Sequence, residues 1–432
     1  MKIGMAGGGI ASLFAAYELK KREDFEIEIY EQAAENKRGG LLKTVEFGGR
    51  KVDVGGPHIL FSSNEKILNR ILDFVPSAKK HKRIAKIVFD GNILDYPIEN
   101  GIWKLSKAKR QVYIDEMLHL PAAEPSNMKE FFEYTFGESL TKDYFIPYNQ
   151  KIWKWNPKQM ETTWTKTSGR LPTPNPEKLK LALEGIPQEG YEIQSNFWYP
   201  TNGIQELYDN VTKKCLDLGV NIKYESQVAN LTTKDLTVEI NPAKISYDYV
   251  FSSLPLPIVS HWYGLNSDYF KHNPVTTVTI MLRNLNHQAY NGDLQDAQVL
   301  YVPEQEIPFH RLVFTDKFQE EPENLEGEEL MVELTGFGYL NMDNLTIMHL
   351  VVGGLQRLGL ISGSEDVAKF KVVKNYYGYP IDVIGASTAR ESMISKLKEK
   401  RILSIGRWGR WSYWNIDKVY MNALDVVSSF FS

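Results

Sequence analysis

The chain has 432 residues, more than one ordinary hydrophobic core accommodates, which predicts two or three domains or one domain with large insertions. Hydrophobic residues make up 43% and charged residues 24% of the sequence, which excludes the disordered, collagenous and coiled-coil classes. The net charge of −4 gives no overall basic field for nucleic acid. The single cysteine, Cys215, excludes an internal disulfide framework and a CxxC metal site. Because the sequence shows no signal peptide and no run of 18 apolar residues, we expect a cytoplasmic protein without a membrane span.

The first forty residues have the pattern of a β-α-β unit. Lys2 to Ala6 is a short apolar run, Ile10 to Lys20 carries apolar residues at helical spacing, and Phe25 to Tyr30 alternates as a second strand. The motif Gly7-x-Gly9-x-x-Ser12 lies between the first strand and the helix. Its first glycine permits a tight turn and its second lets backbone N–H groups approach a pyrophosphate. We therefore predict a dinucleotide site at Gly7, Gly8, Gly9, Ile10 and Ala11.

Glu31 ends the second strand about twenty residues after the glycines, where a carboxylate accepts hydrogen bonds from ribose hydroxyls. This position favours an unphosphorylated ribose, and so FAD or NAD rather than NADP. Gln32, which follows it, is assigned to the same site. The competing interpretation is a glycine-rich turn that binds nothing.

Later segments repeat the α/β pattern. Gly203 to Leu218 is predicted as an amphipathic helix, Tyr247 to Ser253 as a buried strand, and Arg401 to Ile405 as another strand, followed by a helix from Asp417. Residues 101–190 are rich in helix formers, whereas 270–380 alternate like antiparallel strands. The basic run Lys79 to Arg83 and the acidic stretch 319–329 are expected to be solvated loops or helix ends.

These segments predict an α/β fold with a Rossmann-like FAD-binding domain that is assembled from discontinuous parts of the chain. The parts are residues 1–100, 199–260 and 385–432. A mainly helical region, 101–198, and an antiparallel-sheet region, 261–384, are inserted between them and are expected to supply the substrate side.

Two further glycine motifs distinguish FAD from NAD. Arg38-Gly39-Gly40-Leu41 follows soon after Glu31, and Asp53-Val54-Gly55-Gly56-Pro57-His58 follows in turn. Both resemble the flavoprotein superfamily of amine oxidases, protoporphyrinogen oxidases and UDP-galactopyranose mutases, in which a second Gly-Gly loop lies along the flavin. The resemblance implies FAD as the cofactor, with Gly39, Gly40, Leu41, His58 and Val228 among the residues that bind it.

Four stretches resemble UDP-galactopyranose mutase in particular. They are Gly55 to Phe61, Tyr148 to Trp153 followed by Gly169-Arg170-Leu171-Pro172, Pro308 to Val313, and Gly406-Arg407 with Tyr413 to Asp417. The resemblance implies that Tyr148 stacks on the base and that Asn149 and Trp153 belong to a mobile substrate loop. It further implies that Arg170 and Arg311 bind the diphosphate and that Tyr379 and Tyr413 contact the substrate. Gly406, Arg407, Asn415, Ile416 and Asp417 would hold the flavin.

The sequence also departs from that family. Asn149 replaces threonine and Ile152 replaces glutamine in the substrate loop, while Asn415 and Ile416 replace aspartate and methionine beside the flavin. The base, the sugar or both therefore remain open. For Arg170 and Arg311 the competing interpretation is an ordinary surface or ion-pair residue, and for His58 a structural histidine.

The resemblance implies a non-redox mutase that interconverts pyranose and furanose forms of a nucleotide sugar in polysaccharide biosynthesis. In that family N5 of the reduced flavin attacks the anomeric carbon, and the residues implied to be catalytic here are His58, Arg170 and Arg311. An external flavin reductant and a homo-oligomer are compatible with this function. The alternatives are an FAD-dependent amine oxidase or desaturase and a non-catalytic module with the flavoprotein fold. No metal site is predicted.

Overall fold

The computed structural model describes residues 1–163, 165, 174–187, 195–232, 236–240, 242–319 and 327–431. The helices of seven or more residues in these ranges are α1 (Ile10–Lys20), α2 (Glu65–Leu72), α3 (Lys107–Leu118), α4 (Met128–Phe136), α5 (Ile146–Trp153), α6 (Pro176–Leu183), α7 (Gln205–Asp217), α8 (Leu256–Trp262), α9 (Asn344–Arg357), α10 (Ala386–Glu399) and α11 (Ile416–Phe430). Within the same ranges, no helix is long and apolar enough to span a membrane.

A five-stranded parallel sheet forms the first layer. In chain order its strands are β1 (Lys2–Ala6), β2 (Glu26–Tyr30), β9 (Asn221–Lys223), β13 (Tyr249–Ser252) and β19 (Ile402–Ser404). Their order across the sheet is β19-β13-β1-β2-β9, and every neighbouring pair is parallel. The sheet thus takes strands from three distant parts of the chain, as the sequence predicts for a discontinuous Rossmann-like domain.

Helix α1 packs against this sheet, α7 and α11, which explains why it is buried on nearly all sides. Leu13, Phe14 and Leu19 of α1 have no exposed surface, and the Phe14 ring lies 4.6 Å from that of Tyr420 in α11. A helix that is covered by neighbouring elements on nearly all sides is rich in small and apolar residues all round. The packing fixes the position of the glycine loop that begins α1.

A seven-stranded mixed sheet forms the second layer. Its strands are β6 (Ala85–Phe89), β7 (Asn92–Asp95), β14 (Phe270–Leu282), β15 (Val299–Tyr301), β16 (Arg311–Phe314), β17 (Glu328–Thr335) and β18 (Val367–Asp382). Their order is β18-β14-β17-β16-β15-β6-β7, and all pairs are antiparallel except β15 with β6. Residues 85–95 fall in the predicted first FAD-binding part, 1–100, but their strands belong to this mixed sheet and not to the parallel one. The five domain ranges stay a prediction.

Three smaller sheets contain the other strands of the described residues. They are the ribbon of β3 (Thr44–Phe47) and β4 (Arg50–Asp53), the ribbon of β5 (Ala78–Lys82) and β8 (Asn196–Pro200), and the three-stranded sheet of β10 (Asn230–Thr232), β11 (Thr237–Ile240) and β12 (Ala243–Ser246).

Lys79 to Lys82 of the basic run belong to strand β5, and Arg83 follows it directly, so the expectation of a solvated loop or helix end was wrong. Lys79 pairs with Tyr199 and His81 with Phe197 across the β5–β8 ribbon. The lysines are exposed, but His81 stacks on Phe197 at a ring distance of 5.3 Å. Of the acidic stretch 319–329, residues 320–326 lie outside the described residues, and Glu329 is a buried residue of β17.

Candidate active site

The loop between β1 and α1 is shaped by glycines. Gly7 has a φ of +92°, and a β-carbon there would lie 2.6 Å from Oγ of Ser253. Ser12 is fully buried, and its hydroxyl donates to the same Ser253 oxygen at 3.0 Å. Gly9 caps α1 and lines a cavity of about 400 Å³, with no atom within 4 Å of where its β-carbon would be. The open space at this helix N-terminus fits a pyrophosphate.

Glu31 lies directly over this loop. A β-carbon at Gly8 would be 2.7 Å from Oε2 of Glu31, so only glycine leaves room for the carboxylate. Its other oxygen, Oε1, accepts a hydrogen bond of 2.8 Å from the Ala33 N–H. The side chain is therefore fixed beside the glycine loop. Gln32 is exposed, and Val228 is buried in a hydrophobic cluster with Ala6.

The second glycine loop and the histidine loop pack against each other. A side chain at Gly55 would overlap the carbonyl oxygen of Leu41. Leu41 and His58 both line the cavity, and Nε2 of His58 is buried without a hydrogen-bond partner among the described residues. Burial, reinforced by the positive charge of Arg407, lowers the pKa of His58 to about 4. A neutral imidazole thus faces the cavity at pH 7, ready to bond to a bound group.

The C-terminal motif, Gly406-Arg407 with Tyr413 to Asp417, borders the same cavity. Gly406 has a φ of +74°, and a side chain there would overlap the β-carbon of Ala11 in α1. Asn415 caps α11, and both Asn415 and Ile416 line the cavity, so a second helix N-terminus borders it. Asp417 is buried and accepts a hydrogen bond of 3.0 Å from the Ser62 hydroxyl.

Arg407 is held by carbonyl groups and aromatic rings. Its Nη2 donates to the Gly378 carbonyl at 2.7 Å and its Nη1 to the Trp414 carbonyl at 3.1 Å. The guanidinium carbon lies 4.7 Å from the ring centre of Tyr413, within the range of a cation–π contact. Arg407 lines the cavity as a fixed positive charge.

Arg311 lines the same cavity but forms an ion pair. It lies opposite Glu333 in the register of β16 and β17, and its Nη2 donates to Oε1 of Glu333. The Tyr379 hydroxyl donates to the other carboxylate oxygen at 2.8 Å. Burial favours the neutral acid, but the charge of Arg311 keeps the pKa of Glu333 below its ordinary value. Burial also lowers the pKa of His310, 3.6 Å from Glu333, to about 3, so this imidazole is neutral.

A smaller aromatic cavity of about 120 Å³ adjoins the first, and Tyr148, Asn149 and Trp153 line it. The Tyr148 ring stacks on Tyr144 at 5.7 Å. Trp153 Nε1 donates to Oδ1 of Asn149 at 3.0 Å. Trp153 is the last residue of α5 and only 4% exposed, so it is packed inside the protein. Tyrosines 96, 301 and 413 line both cavities.

The structure brings most of the predicted site residues together. The large cavity is lined by Gly9, Ile10, Ala11, Gly39, Gly40, Leu41, His58, Arg311, Tyr379, Arg407, Tyr413, Asn415 and Ile416. The predicted cofactor residues that do not line the cavity are Gly7, Gly8, Glu31, Gln32, Val228, Gly406 and Asp417. Gln32 is exposed, and Val228 is buried in the separate hydrophobic cluster that contains Ala6. Arg170, with the rest of its Gly-Arg-Leu-Pro motif, lies outside the described residues.

Sequence reasoning missed two charged residues of the cavity wall, Arg83 and Glu333. Arg83 belongs to the basic run that had been expected in solvent. Glu333 is a carboxylate between the apolar residues Val332 and Leu334 of β17 and is 1% exposed. A charged residue at a buried strand position is a signal for a partner or a site, and it was available in the sequence.

Comparison with known proteins supports the fold. Residues 6–75 match the model of the NAD(P)-binding Rossmann-like domain. Crystal structures of similar fold include reduced UDP-galactopyranose mutase, with a TM-score of 0.87, 22% identity, and coverage of 100% of this chain and 95% of that one. For a putative protoporphyrinogen oxidase from Exiguobacterium sp. 255-15 the TM-score is 0.75 at 15% identity, with coverage of 99% of this chain and 98% of that one. For a fatty acid isomerase from P. acnes that produces CLA, the TM-score is 0.64 at 13% identity, with coverage of 100% of this chain and 98% of that one. The chain therefore has the fold of UDP-galactopyranose mutase, and the resemblance predicted from its motifs is confirmed at the level of the fold.

Proposed function

We propose that the protein is an FAD-dependent nucleotide-sugar mutase that interconverts pyranose and furanose forms of its substrate. One observation carries the proposal. The glycine loop and the start of α11 line the same cavity as Arg311, Arg407, Tyr379 and Tyr413. A cofactor held by the first group would be within reach of a phosphorylated ligand held by the second.

The residues present fit FAD. Gly9 and Gly40 each leave open space where a β-carbon would be, and both line the cavity. Glu31 is fixed beside the glycine loop for the ribose, and two helix N-termini suit the pyrophosphate. Nε2 of His58 is the buried polar atom that a bound group would satisfy. When bound in its reduced form, FAD would supply a nucleophilic nitrogen for the anomeric carbon.

The arginines of the cavity would bind and stabilise the diphosphate. A guanidinium presents several fixed donors that match phosphate oxygens. Arg407 is oriented by two carbonyl groups, and Arg311 by Glu333. Negative charge grows on the diphosphate as its bond to the sugar breaks, and cations that are already in place lower the cost of that step.

Tyrosines 379 and 413 would contact the sugar and the phosphates. The Tyr379 hydroxyl donates its proton to Glu333, so its oxygen would be left to accept a hydrogen bond from a ligand hydroxyl group. Tyr413 packs edge-on against Tyr379 at a ring distance of 5.3 Å. Aromatic walls of this kind hold a ligand and exclude water from the reacting atoms.

The test is turnover of UDP-galactofuranose by protein that has been loaded with FAD and reduced with dithionite under anaerobic conditions. We expect UDP-galactopyranose to form with reduced protein and far less of it with oxidised protein. Activity in the oxidised state alone, accompanied by hydrogen peroxide, would contradict the proposal.

A second candidate is an FAD-dependent amine oxidase or desaturase, and one observation favours it. The smaller cavity is walled by aromatic residues, and the charge of Arg311 is already balanced by Glu333. Such a site suits an apolar substrate that gives a hydride to the cofactor. Substituting Arg407 discriminates between the candidates, because an oxidase of an apolar substrate has no need of a phosphate-binding cation.

A further inference from the structure

A buried lysine ties helix α5 to the loop that follows β15. Lys151 is 3% exposed, and its Nζ donates to the Val302 carbonyl at 2.8 Å and to the Glu304 carbonyl at 2.6 Å. A buried ammonium group needs acceptors of this kind, because it has given up its hydrogen bonds to water. The side chain of Lys151 therefore links the helix to the loop.

A second link joins the same two segments near the start of α5. Nε2 of Gln305 donates to the Pro147 carbonyl at 3.0 Å and to the Pro303 carbonyl at 2.9 Å. Gln305 is exposed, whereas Lys151 is buried. Residues 302–305 are thus bonded to α5 at two points that lie about one helical turn apart.

The end of α5 is bonded to the mixed sheet. Oγ1 of Thr335 in β17 donates to the Lys151 carbonyl at 2.7 Å, and Nδ2 of Asn273 in β14 donates to the Ile152 carbonyl at 2.7 Å. Both carbonyl groups belong to the last turn of the helix, which has no intrahelical donor for them. The sheet therefore holds α5 independently of the loop after β15.

The two segments that Lys151 links both supply walls of the aromatic cavity. Tyr148 of α5 and Tyr301, the last residue of β15, line it, and their ring centres are 6.0 Å apart. Tyr301 directly precedes Val302, whose carbonyl Lys151 binds. Lys151 itself is not among the described residues that line either cavity. Any influence of Lys151 on a ligand would therefore act through the positions of the two tyrosines.

We propose that Lys151 is a positioning residue that sets the shape of the base subsite in the aromatic cavity. This inference rests on the proposed function, with the base of the nucleotide sugar placed against Tyr148. The bonds of Lys151 hold the walls that carry Tyr148 and Tyr301 in place before a ligand arrives. A slot that is already formed binds a planar ring more tightly, because its walls need not be ordered on binding.

The experiment compares Lys151→Met with the unsubstituted protein. Methionine keeps an unbranched apolar stem and removes both hydrogen bonds to the loop. Calorimetry on the FAD-loaded protein measures Kd for UDP and for uridine, and we expect both to rise about tenfold. Fluorescence titration of the apoprotein measures Kd for FAD, which should stay within about twofold. With UDP-galactofuranose, KM should rise while kcat stays within about twofold, because substrate and transition state lose the same contacts to the base.

Two further variants separate this role from general support of the fold. Thr335→Val, the matched control, removes a hydrogen bond to the same helix but leaves its links to the loop, so both nucleotide and nucleoside affinities should be unchanged. Gln305→Ala removes the second link at an exposed position and should weaken UDP and uridine binding about two- to threefold.

The other outcomes each decide the question. Unchanged UDP affinity in Lys151→Met, or a loss confined to UDP with uridine unaffected, would overturn the inference. A parallel loss of FAD affinity, or an equal loss of UDP affinity in Thr335→Val, would show a general structural role and overturn it as well. If Lys151→Met does not fold, Gln305→Ala decides, and undiminished UDP affinity there would overturn the inference. Absence of UDP binding by the unsubstituted, FAD-loaded protein would overturn the proposed function itself.

Discussion

Glu333 and Arg311 face each other on neighbouring strands, and their side chains form an ion pair in the wall of the cavity. The Glu333 side chain belongs to a residue that is 1% exposed, and it also accepts a hydrogen bond from the Tyr379 hydroxyl. Burying one ion without a partner costs far more than burying the pair. The pair therefore fixes Arg311 in place, and it also reduces the positive charge that Arg311 offers to a ligand.

Glu333→Gln should destabilise the protein strongly. The substitution keeps the side-chain shape but leaves the Arg311 cation without its counter-ion, so we expect a loss of about 3 kcal/mol in the free energy of unfolding. Tyr379→Phe keeps the ion pair, removes one hydrogen bond and is expected to cost about 1 kcal/mol. Denaturant unfolding measures both. Equal small losses from Glu333→Gln and Tyr379→Phe would show that the ion pair does not stabilise the fold. The double variant Arg311→Met with Glu333→Leu, which removes both charges, should recover most of the stability that Glu333→Gln loses.

Gly406→Ala should force the C-terminal Gly406-Arg407 motif away from α1, which it contacts at Ala11. The new methyl group would overlap Ala11, and the residue would also have to keep a φ of +74°. Gly359→Ala is the matched control, since Gly359 has a φ of +66° and open space around it. We expect the control to lose about 1 kcal/mol of stability, from backbone strain alone. Gly406→Ala should lose more and should also purify with much less flavin; similar flavin content in the two variants would contradict this placement.

Glu31→Gln should weaken cofactor binding. The amide keeps the size of the side chain beside Gly8 but loses the charge that strengthens a hydrogen bond from a ribose hydroxyl. We expect Kd for FAD to rise by about tenfold. Glu35→Gln, an exposed change four residues away, should leave that Kd unchanged. Fluorescence titration of apoprotein with FAD measures both, and identical values would remove Glu31 from the site.

His310 should make stability depend on pH below neutrality. The folded protein holds this imidazole neutral because burial lowers its pKa from the ordinary 6.5 to about 3. Between those two values the unfolded chain binds a proton that the folded protein does not, so the free energy of unfolding falls as the pH falls. The expected loss from pH 7 to pH 5 is about 2 kcal/mol. His310→Gln should show a pH dependence smaller by that amount, and an unchanged dependence would contradict the account.

The sequence predicted those parts of the fold that short-range pattern determines. Helix α1 and strand β1 have the predicted bounds, Ile10–Lys20 and Lys2–Ala6, because a glycine loop separates two clear periodicities. Strand β5 was missed because its Lys-rich sequence resembles a solvated segment and its partner β8 lies more than 100 residues away in the chain. Only the tertiary structure pairs them.

The candidate site was predictable where a motif has a local geometry. Gly9, Gly40 and Asn415 line the cavity, as their motifs imply. The ion pair of Arg311 with Glu333 depends on the register of β16 against β17, which no local pattern specifies. Arg311 thus forms an ion pair, as the competing interpretation expected, and it also lines the cavity.

The proposed function places flavin and nucleotide sugar in one cavity. A crystal structure of the protein with FAD and UDP bound would show where each ligand lies. We expect the flavin ring beside His58 and the diphosphate within hydrogen-bond distance of Arg407. A flavin bound away from His58, or UDP bound outside the cavity that Arg311 and Arg407 line, would contradict it.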